Sequence, residues 1–161
     1  YISNEMIQQA AATNLTDLLQ TVAGIDIRRR GVEGMQSDLF IRGGNFEQTL
    51  LLIDGVKMDD PQTGHHTMNA IVDLDNIESI EIVKGPAARV YGQNAFTGAI
   101  NIVTKKIKND GLKLKVGYGS YENKKASIGI QEKLNDNVAV LAHISHQKSD
   151  GYRVNSDFEN N

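Results

Sequence analysis

The sequence predicts an α+β unit over residues 1–108, a small mixed sheet with short helices, followed over 109–161 by antiparallel strands. Three observations carry this reading. Two short helical patterns with capping residues open the chain. Several brief strands follow, one of them nearly all apolar, with no long helix between them. From Leu112 the apolar residues alternate, and the charge balance changes with the pattern. Residues 1–110 hold 10 Lys/Arg against 14 Asp/Glu, whereas residues 111–161 hold 7 against 6.

Residues 3–11 read as the first helix, with Ser3 as its cap and Glu5 in the favourable first turn. Asn14 is placed to cap a second helix, Leu15–Val22. Its stripe is Leu15, Leu18, Leu19 and Val22, and Gly24 is its left-handed stop. Ile25–Arg28 alternates as a strand. Asp38–Arg42 is a second, stopped by Gly43-Gly44. Thr49–Ile53 is apolar enough for a strand covered on both faces. Asp54-Gly55 is a strong hairpin signal, with Val56–Met58 returning. Residues 59–69 form a polar loop, and Asp73–Ile77 a helical turn capped by Asp73 or Asp75. Ser79–Lys84 alternates as a strand. Gly85-Pro86 ends it, and Pro86 starts a short helical turn to Tyr91. Gly98–Thr104 is the last strand of the unit, and Lys105, Lys106 and Lys108 mark a polar exit. Gly92 and Gly98 permit backbone geometry or close approach that a Cβ would block. Beyond them Leu112–Tyr118, Ala126–Gln131 and Val138–Ser145 alternate as three strands, joined by SYENK (120–124) and Asn135–Asn137.

Composition narrows the function classes. Apolar residues make up 40% of the 161 and charged residues 23%, as in a folded protein. A net charge of −3 is too mild for a nucleic-acid binder. Without cysteine there is no disulfide frame, thiolate metal site or cysteine nucleophile. No apolar run is long enough for a transmembrane helix, which leaves a membrane β-barrel open. Tyr1 is not an initiator Met, so a processed or cut N-terminus is expected.

Several clusters invite chemistry and are better read as surface. Adjacent His65 and His66 point to opposite sides of an extended segment and chelate poorly as a pair. Arg28-Arg29-Arg30 stands in an acidic unit and reads as a solvated strand end. Asp54, Asp59, Asp60, Asp73 and Asp75 lack the spacing of an EF-hand loop. GGNFEQ (43–48) lacks the phosphate-loop pattern and its following helix. No metal site and no cofactor is expected.

Taken in order, VAGIDIRRRG (22–31), LFIRGGNFEQTLLLIDGVKMDD (39–60) and NIESIEIVKGPAARVYGQNAFTGAINIVTKK (76–106), with the alternating strands after them, resemble a TonB-dependent outer-membrane receptor. The resemblance implies a plug domain over 1–108 and the first three strands of a transmembrane barrel over 109–161. Such a barrel has about 22 strands of about 10 residues. Three strands cannot close it, so a longer parent chain is expected. The resemblance places Arg30, Asn45, Phe46, Gln48, Gln62, Thr63, His65 and His66 on apical loops facing substrate. It assigns Arg42 and Lys84 to ionic contacts with barrel carboxylates. Lys84 stands where the family usually has arginine, keeping the charge but losing the bidentate fork. Gly43, Asp54, Gly55, Gly85, Pro86, Tyr91, Gly92 and Gly98 are its structural motif positions. Tyr91 suits pinning a loop in a crowded lumen.

The implied function is active import of a ferric siderophore, cobalamin or similar substrate, with no reaction chemistry. The implied partners are the TonB–ExbB–ExbD complex, outer-membrane lipid, a metal chelate or cobalamin, and a surface lipoprotein. The implied location is the outer membrane of a Gram-negative bacterium. If Leu112–Gly119 runs outward, SYENK is an outer loop and residues 149–161 a longer one. The alternative is a soluble α+β ligand-binding module with a small antiparallel sandwich, and a hydrolase is a third. What Leu112, Val116, Ile128, Ile130, Val138 and Ile144 face separates importer from module.

Overall fold

The computed structural model describes residues 1–31, 36–58, 60, 68, 72–135 and 138–150. Gln62, Thr63, His65 and His66, Asp59, the end of the Asn135–Asn137 turn and residues 151–161 lie outside the described residues. The chain divides into two compact units, Tyr1–Lys105 and Lys106–Asn161.

The first unit opens with a two-residue strand, β1 (Ile2–Ser3), which the sequence reading missed, and then α1 (Asn4–Gln9). Ser3 caps α1 by accepting the Met6 N–H. Helix α2 (Leu15–Gln20) begins where Asn14 Oδ1 accepts the Asp17 N–H at 2.8 Å. It ends short of Val22 because the Thr21 hydroxyl donates to the Leu18 carbonyl at 2.7 Å and closes the last turn. Gly24, at φ 80°, then reverses the chain.

Strands β2 (Ile25–Arg29) and β3 (Ser37–Ile41) pair antiparallel as a separate two-stranded ribbon. The main sheet takes β4 (Thr49–Ile53), β5 (Val56–Met58), β6 (Ile77–Lys84) and β7 (Gly98–Thr104), in the order β1-β6-β7-β4-β5. Within it only β4 and β7 run parallel. A 3-10 turn at Leu74–Asn76 is capped by Asp73, whose carboxylate accepts the Asp75 N–H. Asp54 and Gly55 take φ 50° and 79°, the paired left-handed geometry of a type I′ hairpin. A short helix, α3 (Ala88–Tyr91), sits between β6 and β7. Pro86 precedes its N-cap, Ala87, rather than starting the helix as the sequence suggested.

Alternation along β4 and β7 gives the sheet two unequal faces. Leu51, Ile100, Ile102 and Ile80 face the larger core, where Leu18 and Leu19 of α2 and Ile41 of β3 pack. On the other face Leu50, Leu52 and Ala99 form a smaller cluster with Ala87 and Ala95, against which the half-buried Tyr91 packs.

Asp17 joins α2 to β2. Its carboxylate accepts from Thr13 Oγ1 at 2.7 Å and pairs with the Arg29 guanidinium. Burial pushes the carboxyl up, but the bonds from Thr13 and Arg29 and the Arg29 charge together hold it below the ordinary 3.8. A carboxyl lowered by folding stabilises above its unfolded pKa and loses that contribution as pH falls through the folded value. Asp17→Asn should therefore lower the urea midpoint at pH 6, and the gap to the wild type should narrow as pH falls through the folded pKa of Asp17.

The second unit is a meander of β8 (Gly111–Gly119), β9 (Asn123–Lys133) and β10 (Ala139–Lys148). The predicted SYENK loop shrinks to Ser120–Glu122, because Gly119 already pairs with Asn123. Tyr121 and Glu122 absorb the reversal at φ 59° and 53°. Pairing puts Leu112, Ile130 and Ala142 in one row, and Leu114, Ile128 and Ile144 in the next. The opposite face carries Lys113, Gly129 and His143, then Lys115, Ser127 and Ser145. The apolar face stands open, with Val116 89% and Ile144 70% exposed.

Candidate functional site

The segments that follow β3 and β6 meet at the start of β4 and β7. Ile41 is the last strand residue, and Arg42 turns into the left-handed region at φ 53°. Its N–H donates to the Gly24 carbonyl at 3.0 Å. Its guanidinium lies beside Gly85, where a Cβ would stand 3.8 Å from Nη1. Lys84 ends β6, and its ammonium donates to the Ala23 carbonyl. The two cations expected to serve one ionic role thus gather around the turn after α2. Lys84 spends one of its three donors on its own unit rather than on a carboxylate.

The loop from Gly43 to Gln48 is pinned from within. Asn45 donates its N–H to Gln48 Oε1 at 3.0 Å, and the Gln48 N–H returns to the Asn45 carbonyl at 2.9 Å. These bonds close a 3-10 turn, Phe46–Gln48. Asn45 and Gln48 are exposed and Phe46 half-buried. Phe46 meets Phe40 edge to face, ring centres 6.4 Å apart, and Arg28 lies 4.5 Å over the Phe40 ring. Arg30 stands just past the end of β2. It hydrogen-bonds the Gln36 carbonyl and pairs with the buried Asp38 at 3.6 Å.

Thr97 is the hub that the sequence reading missed. Its N–H and hydroxyl both donate to the Gln48 carbonyl, at 3.0 and 3.1 Å. Its hydroxyl is 3.0 Å from that of Thr49, and its carbonyl accepts the Gly85 N–H at 2.8 Å. A Cβ on Gly44 would lie 2.1 Å from Thr97 Cγ2, so this glycine is required by close approach. The pair Gly44 and Thr97, one after the IRG and one before GAINIVT, was a possible signal only with their proximity known. Gly85 (φ 126°) and Gly92 (φ 86°) bend the intervening strap, and Ala87 N–H bonds the Ala95 carbonyl at 2.9 Å.

Asp54 does more than turn a hairpin. Its two oxygens accept the Thr104 N–H at 2.8 Å and the Thr104 hydroxyl at 2.6 Å. The Gly55 N–H donates to Asn101 Oδ1, whose amide donates in turn to Glu81. This clasp fastens the β4–β5 turn to the end of β7. Asp54→Ala should cost about 1 kcal/mol and expose the Thr104 amide to rapid hydrogen exchange, while Asp54→Asn should retain partial protection. Among the described residues no group of three His, Cys, Asp or Glu side chains could hold a metal.

Residues 1–99 match the family model of the TonB-dependent receptor plug domain. Over 158 residues the chain is 34% identical to the vitamin B12 transporter BtuB of Vibrio vulnificus YJ016, spanning 96% of this chain and 25% of that protein. The ferric-catecholate import receptor Fiu of E. coli K12 superposes with TM-score 0.65 at 26% identity, over 91% of this chain and 20% of Fiu. The ferric enterobactin receptor PfeA of Pseudomonas aeruginosa gives 0.69 at 26% identity, over 98% of this chain and 26% of PfeA. The chain thus spans about a quarter of the length of its BtuB relative. With a plug domain matched over more than half its length and a plug-like mixed sheet running into antiparallel strands, this chain belongs to the TonB-dependent receptors.

Proposed function

We propose that this chain is the N-terminal part of an outer-membrane active importer of a Gram-negative bacterium. Residues 1–108 form the plug that gates uptake, and 109–161 begin the barrel. The observation that carries the reading is the second unit's open apolar face. None of Leu112, Val116, Ile128, Ile130, Val138 or Ile144 joins a described core cluster, which suits lipid and leaves a soluble sandwich without its interior.

Cobalamin is the first substrate to test, because the 34% identity to a vitamin B12 transporter runs through both units. A ferric siderophore is the second, favoured by the likeness to Fiu and PfeA. Arg30, Asn45, Phe46, Gln48, Gln62, Thr63, His65 and His66 are the proposed substrate-facing set. Arg42 and Lys84 are the proposed partners of barrel carboxylates. Energy comes from TonB with ExbB and ExbD, and a surface lipoprotein is a further proposed partner.

The test is uptake of labelled cyanocobalamin and of a ferric catecholate by cells whose only candidate importer is the full-length receptor. Import of either that vanishes in a strain lacking TonB supports the proposal. Import of neither, or import that persists without TonB, sinks it.

A further inference from the structure

The apolar face of the meander is bounded differently at its two ends. Cross-strand pairing puts Tyr118, Lys124 and Lys148 in one row, directly beyond Val116, Ala126 and His146. At the far end the same face closes on Glu132, which pairs with Val140. Both lysines therefore share the side of Leu114, Ile128 and Ile144. From Lys124 to Glu132 the strand takes eight steps of about 3.4 Å. Tilted as barrel strands are, it rises roughly 20 Å, close to the height of an outer-membrane apolar band of about 25 Å.

The cationic row is held in shape. Tyr118 donates its hydroxyl to Glu122 at 2.7 Å, and Lys124 pairs with the other Glu122 oxygen at 2.8 Å. The Lys124 ammonium stands 6.0 Å from the centre of the Tyr118 ring. Glu122 balances one lysine, and among the described residues no carboxylate pairs with Lys148. The row keeps a net positive charge beside the first apolar rows. Long lysine stems can lie along acyl chains with their ends at headgroup height, and the tyrosine suits the same boundary.

We propose that Tyr118, Lys124 and Lys148 form a binding site for the phosphate of an anionic lipid headgroup. The lysines supply point charges, and of the two only Lys124 has a carboxylate partner among the described residues, while the Tyr118 ring borders the acyl region. The glutamate at the opposite rim gives that end no equivalent attraction. The inference rests on the barrel reading above.

The experiment places the photo-crosslinker p-benzoylphenylalanine at position 146, one row inward from the lysines. The full-length receptor is reconstituted in vesicles of phosphatidylglycerol and phosphatidylcholine, equal in both leaflets, so the outcome does not depend on orientation. Lipid adducts are then weighed by mass spectrometry. The expected ratio of anionic to zwitterionic adducts is several-fold above the bulk ratio. It should fall to the bulk value in K124Q/K148Q and stay high in K124R/K148R. Each variant is first shown to be folded by its faster gel migration when unheated. Adducts at the bulk ratio in the wild type, or a preference that survives K124Q/K148Q, would overturn the site alone. No lipid adduct of either kind would overturn the barrel reading beneath it.

Discussion

Truncating Ile100 to alanine should loosen the whole first unit. Ile100 is fully buried on the central strand β7, paired with Leu51 on one side and Ile82 on the other. Its loss removes transfer energy and leaves a cavity that α2 and β3 cannot fill without shifting. Such truncations cost about 2–5 kcal/mol. The measurement is hydrogen exchange on the full-length receptor. Amides of β4, β6 and β7 should exchange roughly thirty-fold faster or more, taking about 1.4 kcal/mol per factor of ten. Val56→Ala is the control, since Val56 on the edge strand is 67% exposed. Equal effects at the two positions would contradict the core described above.

Adding a single carbon at Gly98 should be almost as damaging. The new Cβ would stand 2.5 Å from the Val83 carbonyl oxygen and 2.8 Å from Ile41 Cδ1. The first neighbour is backbone of the paired strand, so β6 and β7 must separate at their first register position. Overpacking of this kind costs about 1–3 kcal/mol. Ile41→Val removes the second clash and leaves the first. The double variant G98A/I41V should therefore recover part of the protection lost in G98A, although I41V alone destabilises. Simple additivity of the two losses would show that Gly98 and Ile41 do not meet as described.

Local chemistry made much of this molecule legible. Asn14 and Asp73 cap because their side chains reach amides three and two residues ahead respectively, which any sequence window contains. Asp54-Gly55 turns because its residues tolerate positive φ. Gly98–Thr104 is bounded by a glycine and three lysines, and the strand has those bounds. The helix ends were misjudged by a residue or two for local reasons, but the larger misses are non-local. Strand β1 exists only because Ile2 and Ser3 find β6, far along the chain. Nothing near Lys84 announces Ala23 as its acceptor. The Thr97 hub and the Asp54–Thr104 clasp join residues brought together by the parallel pairing of β4 with β7, and the partner of a strand is not written beside it. The family resemblance supplied the proposed site positions, and the contacts that hold the described ones came from the structure.

That parallel pairing also sets the order in which the unit can form. Thr49 has its sheet partner at Gly98, and Ile2 at Ile80. The β4–β5 hairpin can close early, but its clasp waits for Thr104, the last strand residue of the unit. Until then the apolar β4 lacks its main neighbour and stays available to other strands. Long-separation contacts repay their loop-closure entropy only after they form, so such topologies fold slowly. An emerging chain of this design remains vulnerable to aggregation until its final strand arrives. The time it spends unpaired is set less by any single residue than by how late β7 falls along the chain.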